Sequence, residues 1–385
     1  MQPTQVRKRN IRLQATDIDG NALAGIKVSI KQTKMNFPFG CGMNKKILMS
    51  TDYQNWFKKR FSVTTFSNEM KWYSTEGKQG QENYTLADAM LSFAQENNIS
   101  VRGHNIIWDN KKEQPQWVHQ LDSNQLRAAA TQRVSSIVTR YKGQVIGWDV
   151  VNENLHFSFY EDTLGENASA AFYSQTRQLD PKTILFMNEY NTIEDNRDQL
   201  ATPDKYLKML QRIKAFPGNN EIQLGIGLEA HFPPLKPNIA YMRAGLDMLG
   251  SAKYPIWLTE VDIGQIQNQA GYLEEILREG YSHPGVTGIV IFSGPYIKGC
   301  WANMCMTDPN FKNTAVGDAV DKLLKEWKFG AFEATTNSEG YIETSLFHGD
   351  YEVSVLCLER NSSYSLGLNV AGVFKEETIH VLIKL

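Results

Sequence analysis

Between residues 37 and 327 the chain alternates eight short apolar runs with stretches of helical periodicity, an order that builds a parallel sheet with helical crossovers. The runs fall at residues 37–42, 61–66, 101–107, 145–151, 183–187, 222–228, 255–261 and 288–292. They are rich in β-branched and aromatic residues and bounded by turn residues, which is the pattern of strands buried on both faces. The clearest helix is expected over residues 123–142. There Leu126, Ala130, Val134, Ile137, Val138 and Tyr141 share one face, Asp122 or Ser123 caps the start, and Gly143 follows the end. Val316, Val320, Leu323, Leu324 and Trp327 mark the last helix in the same way. Eight βα units in roughly 290 residues predict an α/β fold of the closed (β/α)8 TIM barrel type. An open doubly wound sheet is the alternative, but no glycine-rich dinucleotide fingerprint follows the first strand.

The two ends read differently. Residues 10–31 alternate as strands around the turn Asp19-Gly20-Asn21. After Trp327 strand patterns return at 329–335, 341–346, 351–358 and 378–385, separated by turns such as Asn337-Ser338-Glu339-Gly340 and His348-Gly349-Asp350. Two strands alone are marginal in water, whereas six can bury a shared face. The expected organisation is therefore a barrel over residues 37–328 and one small accessory β-sandwich built from residues 6–34 plus 329–385. A free C-terminal module, with the N-terminal strands packed on the barrel, is the alternative.

Composition narrows the function classes. Hydrophobic residues make up 42% and charged residues 21% of the 385, as in ordinary globular chains. The net charge of −2, without a long basic stripe, argues against nucleic acid as a partner. No apolar run is long enough to span a bilayer. The four cysteines lack the paired CxxC spacing of a zinc site; Cys300 and Cys305 flank Trp301 and can close a small disulfide, while buried free thiols are the plainer reading for Cys41 and Cys357. Glycosylation sequons stand at Asn83, Asn98, Asn167 and Asn361. Together with the disulfide they favour a secreted protein. Met1-Gln2-Pro3 leads straight into polar and basic residues, so a signal peptide is expected to have been removed ahead of it.

Two of the apolar runs end in glutamate: Val145-Ile146-Gly147-Trp148-Asp149-Val150-Val151-Asn152-Glu153 and Ile256-Trp257-Leu258-Thr259-Glu260. A carboxylate at the carboxyl end of a buried parallel strand is costly unless it serves something, and two suggest acid/base or nucleophilic work on one bond. The same rim gathers Asn68, Lys71, His104, Trp108, Asn152, Tyr190, Glu229, His231, Asp262 and Trp301. Taken singly, a Glu after a strand usually complements a helix N-terminus, a Trp is usually core, and His104 is equally a satisfied buried histidine. Their coincidence at one rim is what a folding-only explanation does not supply.

Asn68-Glu69-Met70-Lys71-Trp72, Arg102-Gly103-His104, the run ending in Asn152-Glu153, and Thr259-Glu260-Val261-Asp262 resemble glycoside hydrolase family 10, the endo-β-1,4-xylanases. The resemblance covers residues 37–327, and with the flanking β segments the chain is most similar to the plant branch of that family. It implies hydrolysis of β-1,4-xylosidic bonds in xylan with retention, through a covalent glycosyl-enzyme, by Glu153 as acid/base and Glu260 as nucleophile. By the same resemblance His231 hydrogen-bonds the nucleophile, with Asp262 beside it, and Asn152 meets the sugar 2-hydroxyl. Asn68, Lys71, His104 and Trp108 would line the non-reducing side. Tyr190 would serve the leaving group, and Trp301 would cover the sugar at the cleavage point. Glu229 stands where many members carry Gln, as an extra acid or as a variation without mechanistic weight. Ser67, Asp109 and Phe292 replace a Glu, a His and an indole of the family pattern, and the last two are expected to alter the subsite walls.

No metal or organic cofactor is implied, since an acid and a nucleophile suffice. The expected partner is xylan or a xylo-oligosaccharide, met by a monomer outside the cell or in the cell wall. A carbohydrate-binding pseudoenzyme and a hydrolase of another β-1,4-glycan are the competing readings.

Overall fold

A computed structural model of the protein describes residues 5–296, 300–328, 330–357, 362–372 and 378–385. Strands β1 (Lys8–Thr16) and β2 (Lys27–Met35) come first. Nine follow: β3 (Phe39–Met43), β4 (Val63–Phe66), β5 (Ser100–Trp108), β6 (Gly147–Asn152), β7 (Ile184–Glu189), β8 (Leu224–Leu228), β9 (His231–Phe232), β10 (Ile256–Ile263) and β11 (Val286–Ile291). Five end the chain: β12 (Ala331–Thr335), β13 (Tyr341–Phe347), β14 (Gly349–Cys357), β15 (Ser362–Val370) and β16 (Ile379–Lys384).

Strands β3, β4, β5, β6, β7, β8, β10 and β11 pair in that order, all parallel, and β11 pairs back onto β3 to close the barrel. Each of the eight expected runs holds one barrel strand. Burial on both faces explains why these strands read as continuous apolar runs; all eight residues of β10 are buried. Large side chains fill the interior, and glycines make room for them. A Cβ at Gly288 would lie 2.6 Å from the Trp257 indole, and one at Gly103 would overlap Trp148. Arg102 is fully buried inside the barrel, with its guanidinium 4.8 Å from the Phe186 ring centre and 5.5 Å from that of Trp257. It is tolerated there because Asp149 accepts from it twice, over 2.6 and 3.2 Å.

Among the connecting helices, Ser123–Tyr141 is capped by Asp122, whose side chain accepts from the Gln125 backbone while the Gln125 side chain accepts in return. Its buried face includes Arg133 as well as the expected apolar residues. Five donor contacts satisfy that guanidinium: the carbonyls of Met70, Asn105 and Ile106, and the hydroxyls of Thr75 and Tyr84.

The terminal strands form two sheets. In one, β1 lies between β13, antiparallel, and β16, parallel; in the other, β2 lies between β12 and β14, with β15 outside β14. Ile11, Leu13 and Leu346 of the first sheet share one apolar cluster with Ile30, Val353 and Val370 of the second. Two features differ from the sequence reading. β1 and β2 flank a turn but do not pair with each other, because both edges of each are taken by C-terminal strands. β15 was not anticipated, since serine, glycine and asparagine occupy alternate positions; it pairs with β14 in unbroken register from Gly349–Val370 to Cys357–Ser362. Phe329 and Leu358, at the edges of two expected strands, and the Asn361 sequon lie outside the described residues. The chain divides into two compact units, Met1–Pro38 with Val320–Leu385, and Phe39–Ala319. The division falls inside the last helix, Ala315–Trp327, rather than after residue 328.

Candidate active site

The carboxyl ends of the barrel strands are held together beyond the strands themselves. The Glu153 amide donates to the Asn188 carbonyl, that of Glu229 to Glu189, and that of Glu260 to Glu229, over 2.9 to 3.0 Å. Glu153 and Ala230 adopt left-handed backbone conformations, with φ of 59° and 62°. Such conformations cost a non-glycine residue on the order of 1 kcal/mol or more and persist where the surroundings over-determine them.

Glu153 and Glu260 sit in opposite electrostatic settings. The Trp108 indole Nε1 donates to Glu153 Oε2 over 2.8 Å, and Lys71 Nζ lies 4.5 Å from the Trp108 ring centre. Burial pushes the Glu153 carboxyl up, the negative charges of Glu189 and Glu260 add to it, and Trp108 and Lys71 oppose, leaving it raised to about 7. Around Glu260 the neighbours are donors and cations. Asn188 Nδ2 is 3.2 Å from Oε1, His104 Nε2 is 3.7 Å from Oε1, and His231 Nε2 is 3.7 Å from Oε2. Burial would raise Glu260, but His104, His231 and Lys71 outweigh it and hold the carboxyl at about 2.

The histidines are themselves oriented. His104 Nδ1 meets Asp149 Oδ2 at 2.9 Å, so the carboxylate that pairs with Arg102 also aims the ring at Glu260. His231 enters through β9, which runs parallel to β10 and sets His231 opposite Asp262. Its Nδ1 is 2.8 Å from Asp262 Oδ2, while Nε2 is 3.4 Å from Glu229 Oε2. The ring thus stands at ion-pair range from Glu260 rather than at hydrogen-bond length, because Nε2 is shared between two carboxylates. Burial works against charging this ring, yet Asp262, Glu260 and Glu229 outweigh it and push His231 up.

The remaining expected residues lie around this pair. Asn152 Oδ1 accepts from Asn188 Nδ2 over 3.0 Å. Lys71 is largely buried, and Asn68 is exposed and accepts from the Tyr73 hydroxyl over 2.7 Å. Tyr190 stacks on His156 with ring centres 3.8 Å apart and planes 10° from parallel. Trp301 is 61% exposed, 6.1 Å from the His231 ring and 6.4 Å from that of Phe292. Cys300 and Cys305 form a disulfide with Cα atoms 5.2 Å apart, bracketing the short turn Trp301–Asn303.

Of the three departures, Phe292 faces the site, 5.9 Å from the His231 ring. Ser67 donates to the Met43 carbonyl over 3.3 Å. Asp109 is fully buried and accepts from the Tyr160 amide over 3.0 Å. Burial, with Glu161 beside it, raises its carboxyl to about 9.

The sequence places Asn188 at the rim, in the strand-end run Met187-Asn188-Glu189, but its role was overlooked. Its amide nitrogen reaches Asn152, Glu229 and Glu260, while its oxygen accepts from the Thr259 hydroxyl over 2.6 Å. Also overlooked was His156, bridging Glu189 over 2.7 Å and Asp198 over 2.8 Å. Burial opposes its charge, but both carboxylates outweigh it and lift the ring to about 9. Arg133 carried a legible signal, three residues after Ala130 and four before Ile137 on the apolar face.

Comparison with known proteins follows the same lines. The family model for Glycosyl hydrolase family 10 matches residues 28–313. The chain is 50% identical over 357 residues to Endo-1,4-beta-xylanase 5-like from Arabidopsis thaliana, covering 91% of this chain and 62% of that protein. It is 49% identical over 356 residues to Endo-1,4-beta-xylanase 5 of the same plant, with the same coverage. The chain therefore spans less than two thirds of the length of these relatives. Among solved structures, xylanase 10B from Thermotoga petrophila RKU-1 in complex with xylobiose superposes with a TM-score of 0.65 at 23% identity, covering 76% of this chain and 94% of that one, a likeness of fold.

Proposed function

The chain belongs to glycosyl hydrolase family 10, and on that footing we propose that it is a retaining endo-1,4-β-xylanase acting on xylan. The observation that carries the proposal is the split between two strand-end carboxyls, Glu153 raised to about 7 and Glu260 held at about 2. At a pH between these values one carries a proton and the other a charge, which is what acid and nucleophile require.

In the first step Glu260 attacks the anomeric carbon, the bond from that carbon to the leaving oxygen breaks, and the Glu153 proton passes to that oxygen. In the second, Glu153 takes a proton from water, whose oxygen displaces Glu260 from the sugar. Two inversions give retention. Asn152 is offered to the sugar 2-hydroxyl, Asn68, Lys71, His104 and Trp108 to the non-reducing side, Tyr190 to the leaving group, and Trp301 to the sugar at the cleavage point. His231, with Asp262 and Glu229, supports the nucleophile.

A secreted, cell-wall location is part of the proposal. It is supported by the Cys300–Cys305 disulfide and by exposed sequon asparagines at Asn83, Asn98 and Asn167. Among the described residues no helix is long and apolar enough to cross a membrane. The deciding experiment is reducing-sugar release from xylan by this protein and by its Glu260→Ala variant. Release by the parent alone supports the reading; release no greater than the variant's leaves a carbohydrate-binding protein.

A further inference from the structure

The two carboxylates Glu229 and Glu260 face the same donors, and those donors hold too few hydrogens for both. Asn188 Nδ2 has two hydrogens and three acceptors at 3.0 to 3.2 Å: Asn152 Oδ1, Glu229 Oε1 and Glu260 Oε1. Turning the amide does not relieve this, because its oxygen would then face the same three acceptors. His231 Nε2 has at most one hydrogen and two carboxylate neighbours, Glu229 Oε2 at 3.4 Å and Glu260 Oε2 at 3.7 Å. A further donor stands beside Glu260, His104 Nε2 at 3.7 Å, and the charge of Lys71 also lowers that carboxyl. Glu189 adds negative charge on the Glu229 side, and Glu153 does so once it has lost its proton.

We propose that Glu229 is carried as a neutral carboxylic acid while the site works, so that it does not compete as a charge for the hydrogens of Asn188 and His231. Glu229 is thereby a positioning residue: neutral, it leaves the donors to Glu260 and adds no charge beside Glu153. Burial, reinforced by Glu153, Glu260 and Glu189 and opposed by His231, pushes its carboxyl well up. This deepens the xylanase reading and rests on it for its kinetic consequence. Glu153 loses its proton at about 7 and Glu229 above that, so alkaline inactivation begins as a one-proton event and steepens to two protons where Glu229 ionises.

The test has one arm that needs no catalysis. With glutamate labelled by carbon-13 at Cδ, a signal should stay at its protonated position above pH about 7, where Glu153 titrates. It should be absent from Glu229→Gln, or displaced from the labelled set in Glu229→Asp if the amide variant does not fold. In the second arm, the fall of log kcat/KM on xylan with pH should steepen from one proton to two in the parent and stay at one in Glu229→Gln. A Glu229 signal already at its ionised position near neutrality overturns the proposal. So does a parent limb that stays at one proton through the pH at which the Glu229 carbon-13 signal shifts. An inactive parent would instead overturn the functional reading and leave the carbon-13 result to decide the protonation state.

Discussion

Trp108 and Glu153 share one hydrogen bond, from the indole Nε1 to the carboxylate Oε2 over 2.8 Å, and it opposes the burial that raises this acid. An N–H favours the charged form of a carboxyl, so removing it favours the protonated form. In Trp108→Phe the Glu153 carboxyl should therefore titrate above its present value of about 7. The alkaline limb of kcat/KM should move to higher pH by about one to two units, the size of a hydrogen bond to a charged group. A pH–rate profile on a soluble xylo-oligosaccharide measures it, and a limb that moves to lower pH contradicts the assignment.

Glu153 and Glu260 should fail differently. Glu260→Ala should abolish turnover on every glycoside, since no covalent intermediate forms. Glu153→Gln should lose on the order of a hundredfold or more on xylan, whose leaving group needs a proton, and far less in the first step on aryl xylosides whose leaving group does not. Steady-state and burst kinetics on the two substrate types give the comparison. Equal losses on both would remove Glu153 from the acid role.

Arg133→Met should destabilise the barrel. It leaves the carbonyls of Met70, Asn105 and Ile106 without their guanidinium partner. A buried polar group left unpaired costs about 1–3 kcal/mol, so a total loss of about 3 kcal/mol is expected. Urea unfolding measures it. Because Met70 adjoins Lys71 and Asn105 adjoins His104, KM should rise as well; an unchanged stability would show the clamp to be idle.

Deleting residues 330–385 tests whether the terminal strands form one shared sandwich. β1 would lose β13 and β16, and β2 would lose β12 and β14, exposing apolar side chains such as Ile11, Leu13 and Ile30. The truncated protein should be less soluble and melt at a lower temperature. A melting curve identical to that of the full chain would favour an independent C-terminal module.

The barrel was legible because strands buried on both faces leave continuous apolar runs, and both glutamates were legible because a charge ending such a run is conspicuous. β15 was hidden because small polar residues alternate along it, and the partners of β1 and β2 were hidden because strand pairing between distant segments leaves no local mark. Residue types at strand ends thus fixed which groups could meet. Which of them share a hydrogen was settled only by folding. Asn188 touches residues 36, 41 and 72 positions away. Glu260 becomes the charged partner through His104, 156 positions before it, and Glu153 the protonated one through burial and Glu189. Hydrogen bonds and Coulomb fields act over a few ångströms of space, and the barrel sets those distances without regard to separation along the chain.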